Sequence, residues 1–338
     1  MALITNESRA RIRTALGALA VAASCLGACK TQELAPAQRG MTRIQEARGF
    51  LELGLPDSAW SSFGLALEDN PKLVAGHMGM ARIWKDWGNY PLAHRGYETA
   101  TFLAPNNFEA HQGLGLTKQL LGYVKDAVLV YLRALALNPQ SFEVNHHLAG
   151  AYLLLDRPEE AVPYAERATT LNPHHQGAWS NLATAYNQSG RYEEAVDAYR
   201  HSVDLGQPEP PILLGLADAH IHLGHYSRAM IVLRNQIRQN PSAVAYERLG
   251  YCQFKRKDFD DALASFRAAL SIDENDTAAL NGLGACLMTL YVEADRRHPA
   301  QREEAIAVWR KSLDLRSNQP RIEALLSEYG QEAEATSE

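Results

Sequence analysis

The sequence predicts an all-α protein, an array of about eight helix–turn–helix units, and three observations lead there. First, alanines recur every 34 residues, at Ala59, Ala93, Ala127, Ala161, Ala195 and Ala229, followed by Ala262 after 33 and Ala305 after 43. Second, twelve residues ahead of the first seven stands another small residue: Ala47, Ala81, Gly115, Ala149, Ala183, Ala217 or Gly250. Third, four residues after most of the alanines comes a large apolar one: Phe63, Tyr97, Tyr131, Tyr199, Leu233, Phe266 and Trp309, with Ala165 as the exception. A period of this length marks units that cannot bury their own apolar faces and must stack on their neighbours.

Taken in order, the chain opens on an address. Arg9, Arg11 and Arg13 precede a small-residue apolar run from Ala15 to Ala28, too short to cross the roughly 30 Å of a bilayer core, which needs about 20 residues. This is the layout of an export signal. The run ends in Leu26-Gly27-Ala28-Cys29, which resembles the lipobox of bacterial lipoproteins. That resemblance implies a signal peptide over 1–28 and a lipidated Cys29. Cys25 is a second candidate without the leucine, and without a lipid the segment reads as an ordinary cleaved signal or an uncleaved anchor. Lys30 stands where the family's inner-membrane retention signal would place aspartate, so the resemblance implies the outer membrane, facing the periplasm. Residues 29–39 are aperiodic and suit a tether.

The units follow over 40–315. Each shows two apolar stripes at helical spacing, helix A and helix B. In the unit from Gln176, Trp179, Leu182 and Tyr186 mark helix A, and Ala195 and Tyr199 mark helix B. Gly54, Gly88, Gly122, Gly190 and Gly224 lie between the two helices and are expected to end helix A in the left-handed conformation. Asp156 and Lys257 replace that glycine and are expected to need a different turn. Pro71, Pro105, Pro139, Pro173 and Pro241 close helix B, because proline cannot continue it. The eighth unit carries nine extra residues, about 291–299, expected to extend helix A and form a protruding loop in which Arg296 and Arg297 face solvent or an acidic partner. Residues 316–338 are expected to form a capping helix and an acidic tail. The period and its residue pattern resemble the tetratricopeptide repeat, which implies a right-handed superhelical solenoid.

Composition narrows the function. The chain has 338 residues, 46% hydrophobic and 21% charged, which excludes disorder over most of its length. Its net charge is −6, and a chain lacking residues 1–28 stands at −8, against nucleic acid as a partner. Paired carboxylates, Glu159-Glu160, Glu193-Glu194, Asp260-Asp261 and Glu303-Glu304, each open a helix B, where the helix dipole favours negative charge. Their recurrence reads as structural. His220 and His222 diverge by about 200° on one helix and cannot share a metal. His146-His147 and His174-His175 are placed at opposite ends of one unit, with no zinc spacing between them. Cys252 and Cys286 occupy equivalent positions of adjacent units, about 8–10 Å apart by helix packing. A disulfide needs Cα atoms within about 7 Å, so they read as small buried residues. Gly113-Leu114-Gly115-Leu116 lies inside a helix A and is no phosphate loop. No catalytic constellation and no cofactor emerge.

The family resemblance implies a concave groove lined by helix A positions 2, 5, 9, 12 and 13. The third unit contributes Gln112, Leu116, Gln119 and Leu120, and the fourth Glu143, His146, Leu153 and Leu154. The fifth contributes Ser180, Thr184, Asn187 and Gln188. The sixth and seventh add Asp218, His222, Glu247, Tyr251, Phe254 and Lys255. Leucines beside amides and hydroxyls suit an extended segment or helix of a protein partner. The lysine and asparagine with which chaperone-binding members hold a terminal carboxylate are absent from positions 5 and 9 of the first four units, where Ile44, Met78, Gln112 and His146 precede Arg48, Arg82, Leu116 and Gly150. The layout, lipobox plus repeats, resembles the lipoproteins that assist secretin and pilus assembly. It implies a non-enzymatic envelope scaffold bound to the membrane through Cys29. The alternative is an accessory subunit of an envelope polysaccharide or peptidoglycan enzyme.

Overall fold

The structure, a computed structural model, describes residues 35–330. The signal, Cys25, Cys29 and the tail over 331–338 lie outside the described residues. Among the described residues there are seventeen α-helices and no strand. None of those helices is long and apolar enough to cross a membrane. The chain divides into two compact units, Met1–Trp87 and Gly88–Glu338.

The first unit holds α1 (Pro36–Glu52), α2 (Pro56–Asp69) and α3 (Val74–Asp86). Ile44 and Ala47 from α1, Phe63 and Ala66 from α2, and Met80 and Ile83 from α3 form its core. The ring of Phe63 lies on Gly79, where a Cβ would stand only 2.4 Å from the ring edge.

The second unit begins with α4 (Tyr90–Leu103), α5 (Phe108–Leu120), α6 (Val124–Leu137), α7 (Phe142–Leu154) and α8 (Pro158–Leu171). It continues through α9 (Gln176–Gln188), α10 (Tyr192–Leu205), α11 (Pro210–His222) and α12 (Tyr226–Gln239). The last helices are α13 (Ala243–Lys255), α14 (Phe259–Ile272), α15 (Thr277–Glu293), α16 (Pro299–Leu315) and α17 (Pro320–Gly330). One packing device repeats along it. In several units the aromatic ring of helix B lies where a neighbouring helix A has no side chain: Tyr131 against Gly115, Tyr199 against Gly215, and Phe266 between Gly250 and Gly282. Small residues let helices approach, and the ring fills the space left beside them.

The helix A to helix B turns follow one pattern, and here two sequence expectations are corrected. Gly54, Gly88, Gly122, Gly190 and Gly224 all have φ between 70° and 81°. Asp156 and Lys257 do not form a different turn; they enter the same left-handed region, at φ 55° and 67°. The closing hydrogen bonds match as well. Tyr123 N donates to Lys118 O at 2.9 Å, Arg157 N to Tyr152 O at 3.0 Å, and Asp258 N to Gln253 O at 2.9 Å. The pairing of orphan carbonyls outweighs the Cβ penalty at these two positions.

The insertion in the eighth unit extends helix A, as expected, lengthens helix B as well, and leaves a largely exposed connection over 294–298. Both α15 and α16 run 17 residues where their counterparts α13 and α14 run 13 and 14. The connection between them spans five residues against three between α13 and α14, and Tyr291 is buried near the end of α15. Because α16 starts early at Pro299, Glu303 and Glu304 fall beyond its first turn; Glu304 pairs with Arg267 at 2.9 Å instead. The other three carboxylate pairs do occupy first turns. The capping helix α17 buries Ile322 against the core around Trp309, and the buried Arg302 donates from Nε to the Tyr329 carbonyl at 2.9 Å.

Candidate functional site

Five of the eight helices A, those of the third, fourth, fifth, seventh and eighth units, start from a side-chain cap. Asn107 accepts from Ala110 N, Ser141 from Val144 N, and Ser242 from Ala245 N. At α9 the cap is His175, whose Nδ1 accepts from Ala178 N at 3.1 Å. That bond requires the neutral ring to carry its proton on Nε2. None of the residues expected on the stripe is fully buried, and Leu154, Leu120 and Tyr251 are 66%, 44% and 37% exposed.

A recess of about 520 Å³ opens on the stripe where α7 meets α9. Gln119, His146, Leu153, Leu154 and Ser180, all expected from position counting, line it together. It also contains residues that counting missed: His147 and Asn181 at position 6, the glycines Gly150 and Gly177, and Glu209 just ahead of α11. Glycines escape a search for contacting side chains, although Gly150 and Gly177 do occupy positions 9 and 2. Position 6 enters because neighbouring helices are rotated against one another, as the bond from Asn181 Nδ2 to the His146 carbonyl at 3.3 Å records.

The histidines require a further correction. His146 and His175 are not at opposite ends of a unit in space; their rings lie 4.9 Å apart, and Phe142 stacks on His146 at 5.7 Å. Stacking the next unit returns the end of one to the start of its neighbour. Burial, together with His147 and His175, pushes the His146 imidazole down to about 4, so it is neutral at physiological pH. Among the described residues no group of three or more His, Cys, Asp or Glu is arranged to hold a metal ion.

The remaining stripe residues lie outside the recess. Gln112, Leu116 and Leu120 continue it along α5, with Glu143 at the start of α7. Thr184 lies 3.3 Å from the Tyr199 hydroxyl, and Asn187 and Gln188 end α9. Asp218 pairs with Arg248 at 2.5 Å, and burial raises its carboxyl despite that partner. His222 stacks on Tyr192 at 4.5 Å, and Lys255 lies 5.4 Å over the Tyr251 ring. Glu247 is half-buried between these groups, and burial pushes its carboxyl up to about 7, opposed by Arg248. Phe254 faces Phe259 at 5.7 Å. Cys252 and Cys286 are buried free thiols, each pushed up to about 12 chiefly by burial.

The family description "Tetratricopeptide repeat" matches residues 140–207 and again 243–276. No curated protein matches the chain. Among solved structures, it is similar to Pseudomonas aeruginosa pilF at 20% identity and a TM-score of 0.53, over 66% of this chain and 99% of that one. It is similar to the APC/C hetero-tetramer Cut9-Hcn1 at 16% identity and a TM-score of 0.54, over 81% of this chain and 52% of that one. A tetratricopeptide repeat protein from Parabacteroides merdae ATCC 43184 aligns at 20% identity over 74% of this chain and 99% of that one, with a TM-score of 0.49. At these identities the likenesses speak to fold alone. The two family matches, the 34-residue period and the all-helical repeat solenoid agree: the chain is a tetratricopeptide repeat protein.

Proposed function

We propose that the chain is a membrane-anchored interaction scaffold of the bacterial cell envelope, assisting assembly of a multiprotein complex such as a pilus or secretion system. The observation that carries the reading is the open recess on the helix A stripe, where leucines adjoin amide, hydroxyl and imidazole groups. Such a surface offers apolar area and hydrogen-bond register together, which is how grooves hold segments of other proteins. The sequence Leu26-Gly27-Ala28-Cys29 supplies the anchor, with lipid at Cys29 holding the chain to the membrane by about 0.8 kcal/mol per buried methylene. The reading assigns no catalysis and no cofactor.

The test is a mild-detergent pull-down of the chain from its native membrane beside a Cys29→Ala version, with partners identified by mass. A pore-forming or pilus component that follows the wild type alone supports the reading. A glycan-synthesising or peptidoglycan enzyme in its place moves the assignment to an accessory subunit. Equal recovery of both versions from the soluble fraction removes the anchor.

A further inference from the structure

Glycines in the helices of this protein fall into two kinds. At Gly115, Gly215, Gly282 and Gly284 a Cβ would stand 2.2 to 2.5 Å from an aromatic ring or its hydroxyl, so packing demands glycine. At Gly150 a Cβ would meet only Asn181 Nδ2, at 3.5 Å, an ordinary contact. Glycine inside a helix costs about 0.5–1 kcal/mol relative to alanine. Nothing in the core offsets that cost at Gly150, yet it lies in the middle of α7 and on the floor of the recess. Its effect is to leave a gap of bare backbone between Leu153, Leu154 and the neutral His146.

Charge says what fills the gap. Positions 2, 5, 9, 12 and 13 of the third to sixth units carry Glu109, Glu143 and Asp218 and no lysine or arginine. Glu209 adds a further exposed carboxylate at the rim. Across the third to sixth units the stripe is therefore apolar at the notch, with Glu109, Glu143 and Glu209 around it and Asp218 paired with Arg248, and Lys255 follows only in the seventh unit.

We infer that the notch over Gly150 receives one large apolar side chain from a partner protein segment that also carries a lysine or arginine within a few residues, directed at Glu209. This deepens the scaffold reading by naming the chemistry of the segment held. Gly150 sets how large the inserted side chain can be, and Glu209 selects charge beside it.

The test presents phage carrying random dodecapeptides to the full-length chain in mild detergent, with Gly150→Leu as the counter-target. Peptides kept by the wild type and lost by Gly150→Leu are expected to pair Phe, Trp, Leu or Met with Lys or Arg. The leading peptide should bind Gly150→Leu at least about tenfold more weakly by fluorescence anisotropy. Glu209→Lys should weaken it and restore binding of a version with glutamate in place of its basic residue. Gly150→Ala, which the packing accepts, guards against misfolding: it should melt no lower than the wild type and bind more weakly. Absence of discriminating peptides, enrichment of acidic ones, or equal affinity for Gly150→Ala and Gly150→Leu and the wild type would overturn the inference. A native partner captured equally by wild type and Gly150→Leu would overturn the notch alone and leave the scaffold standing. Peptide binding without any envelope partner would do the reverse.

Discussion

The imidazoles of His146 and His175 lie 4.9 Å apart across the joint between α7 and α9, and His175 Nδ1 accepts from Ala178 N at the start of its own helix. A proton added to His146 would therefore sit in a half-buried place beside two further imidazoles. Its pKa is about 4 in the folded chain against an ordinary value of 6.5. As pH falls from 6.5 towards 4 the unfolded chain takes up a proton that the folded chain refuses. The stability contributed by neutral His146 is fully present above pH 6.5 and lost as pH falls through that window. Thermal melts from pH 7 to 4.5 should show a falling midpoint, and His146→Gln should flatten the slope. Parallel curves for the two chains would rule this out.

Glu247 predicts the opposite sign. Its carboxyl is raised to about 7 from 4.5, chiefly by burial, with Asp276 and Asp218 adding to the rise and Arg248 opposing it. A raised carboxyl favours folding at low pH, and that contribution disappears as pH rises through 7. Glu247→Gln keeps the shape and removes the ionisation. The variant should melt level with the wild type near pH 4 and above it at pH 8, by a margin on the order of 1–2 kcal/mol after allowance for partial exposure. Equal midpoints at pH 8 would show that Glu247 ionises without cost.

Sequence and structure part company at identifiable places. The repeat was legible because Ala59, Ala127 and Ala195 mark a spacing that only helix packing imposes, and Gly115 with Tyr131 already shows the ring-on-glycine device. The recess was legible in part. Counting along one helix finds Gln119, His146 and Ser180, but the approach of His175 to His146 depends on how the next unit lands. Gly150 was invisible as a site residue because its contribution is a missing side chain. The turns at Asp156 and Lys257 were misread because a residue type was taken to decide a conformation that the surrounding carbonyls decide.

Those two turns give a stability test. Asp156 and Lys257 hold φ of 55° and 67°, a region that non-glycine residues adopt at a cost of roughly 1–2 kcal/mol. Asp156→Gly and Lys257→Gly should each raise the midpoint of urea unfolding. Glycine's greater freedom in the unfolded chain holds the gain to about 0.5–1 kcal/mol. Gly122→Ala, at φ 81°, should move the midpoint the other way by about 1 kcal/mol. If Asp156→Gly destabilises, its side chain contributes something that the turn geometry does not account for.

The ring-on-glycine device predicts a coupling between two residues of the last repeat. Trp309 is fully buried, its Nε1 donates to the Asn281 carbonyl at 3.3 Å, and a Cβ on Gly284 would stand 2.3 Å from that same nitrogen. Gly284→Ala must therefore move the indole, break its hydrogen bond or push α15 from α16. Overpacking of this kind costs about 1–3 kcal/mol, far more than the helix gains from exchanging glycine for alanine. Gly64 supplies the comparison: it lies inside α2 with nothing within 4 Å of its Cβ position, so Gly64→Ala should be neutral or stabilising. Shortening the ring should relieve the clash. In the double variant Gly284→Ala with Trp309→Leu, the loss should fall well short of the sum of the two single losses, because the methyl group then occupies space the indole has vacated. Strict additivity would mean that the two residues do not compete for the same volume, and that the small residue and the ring are not one packing device.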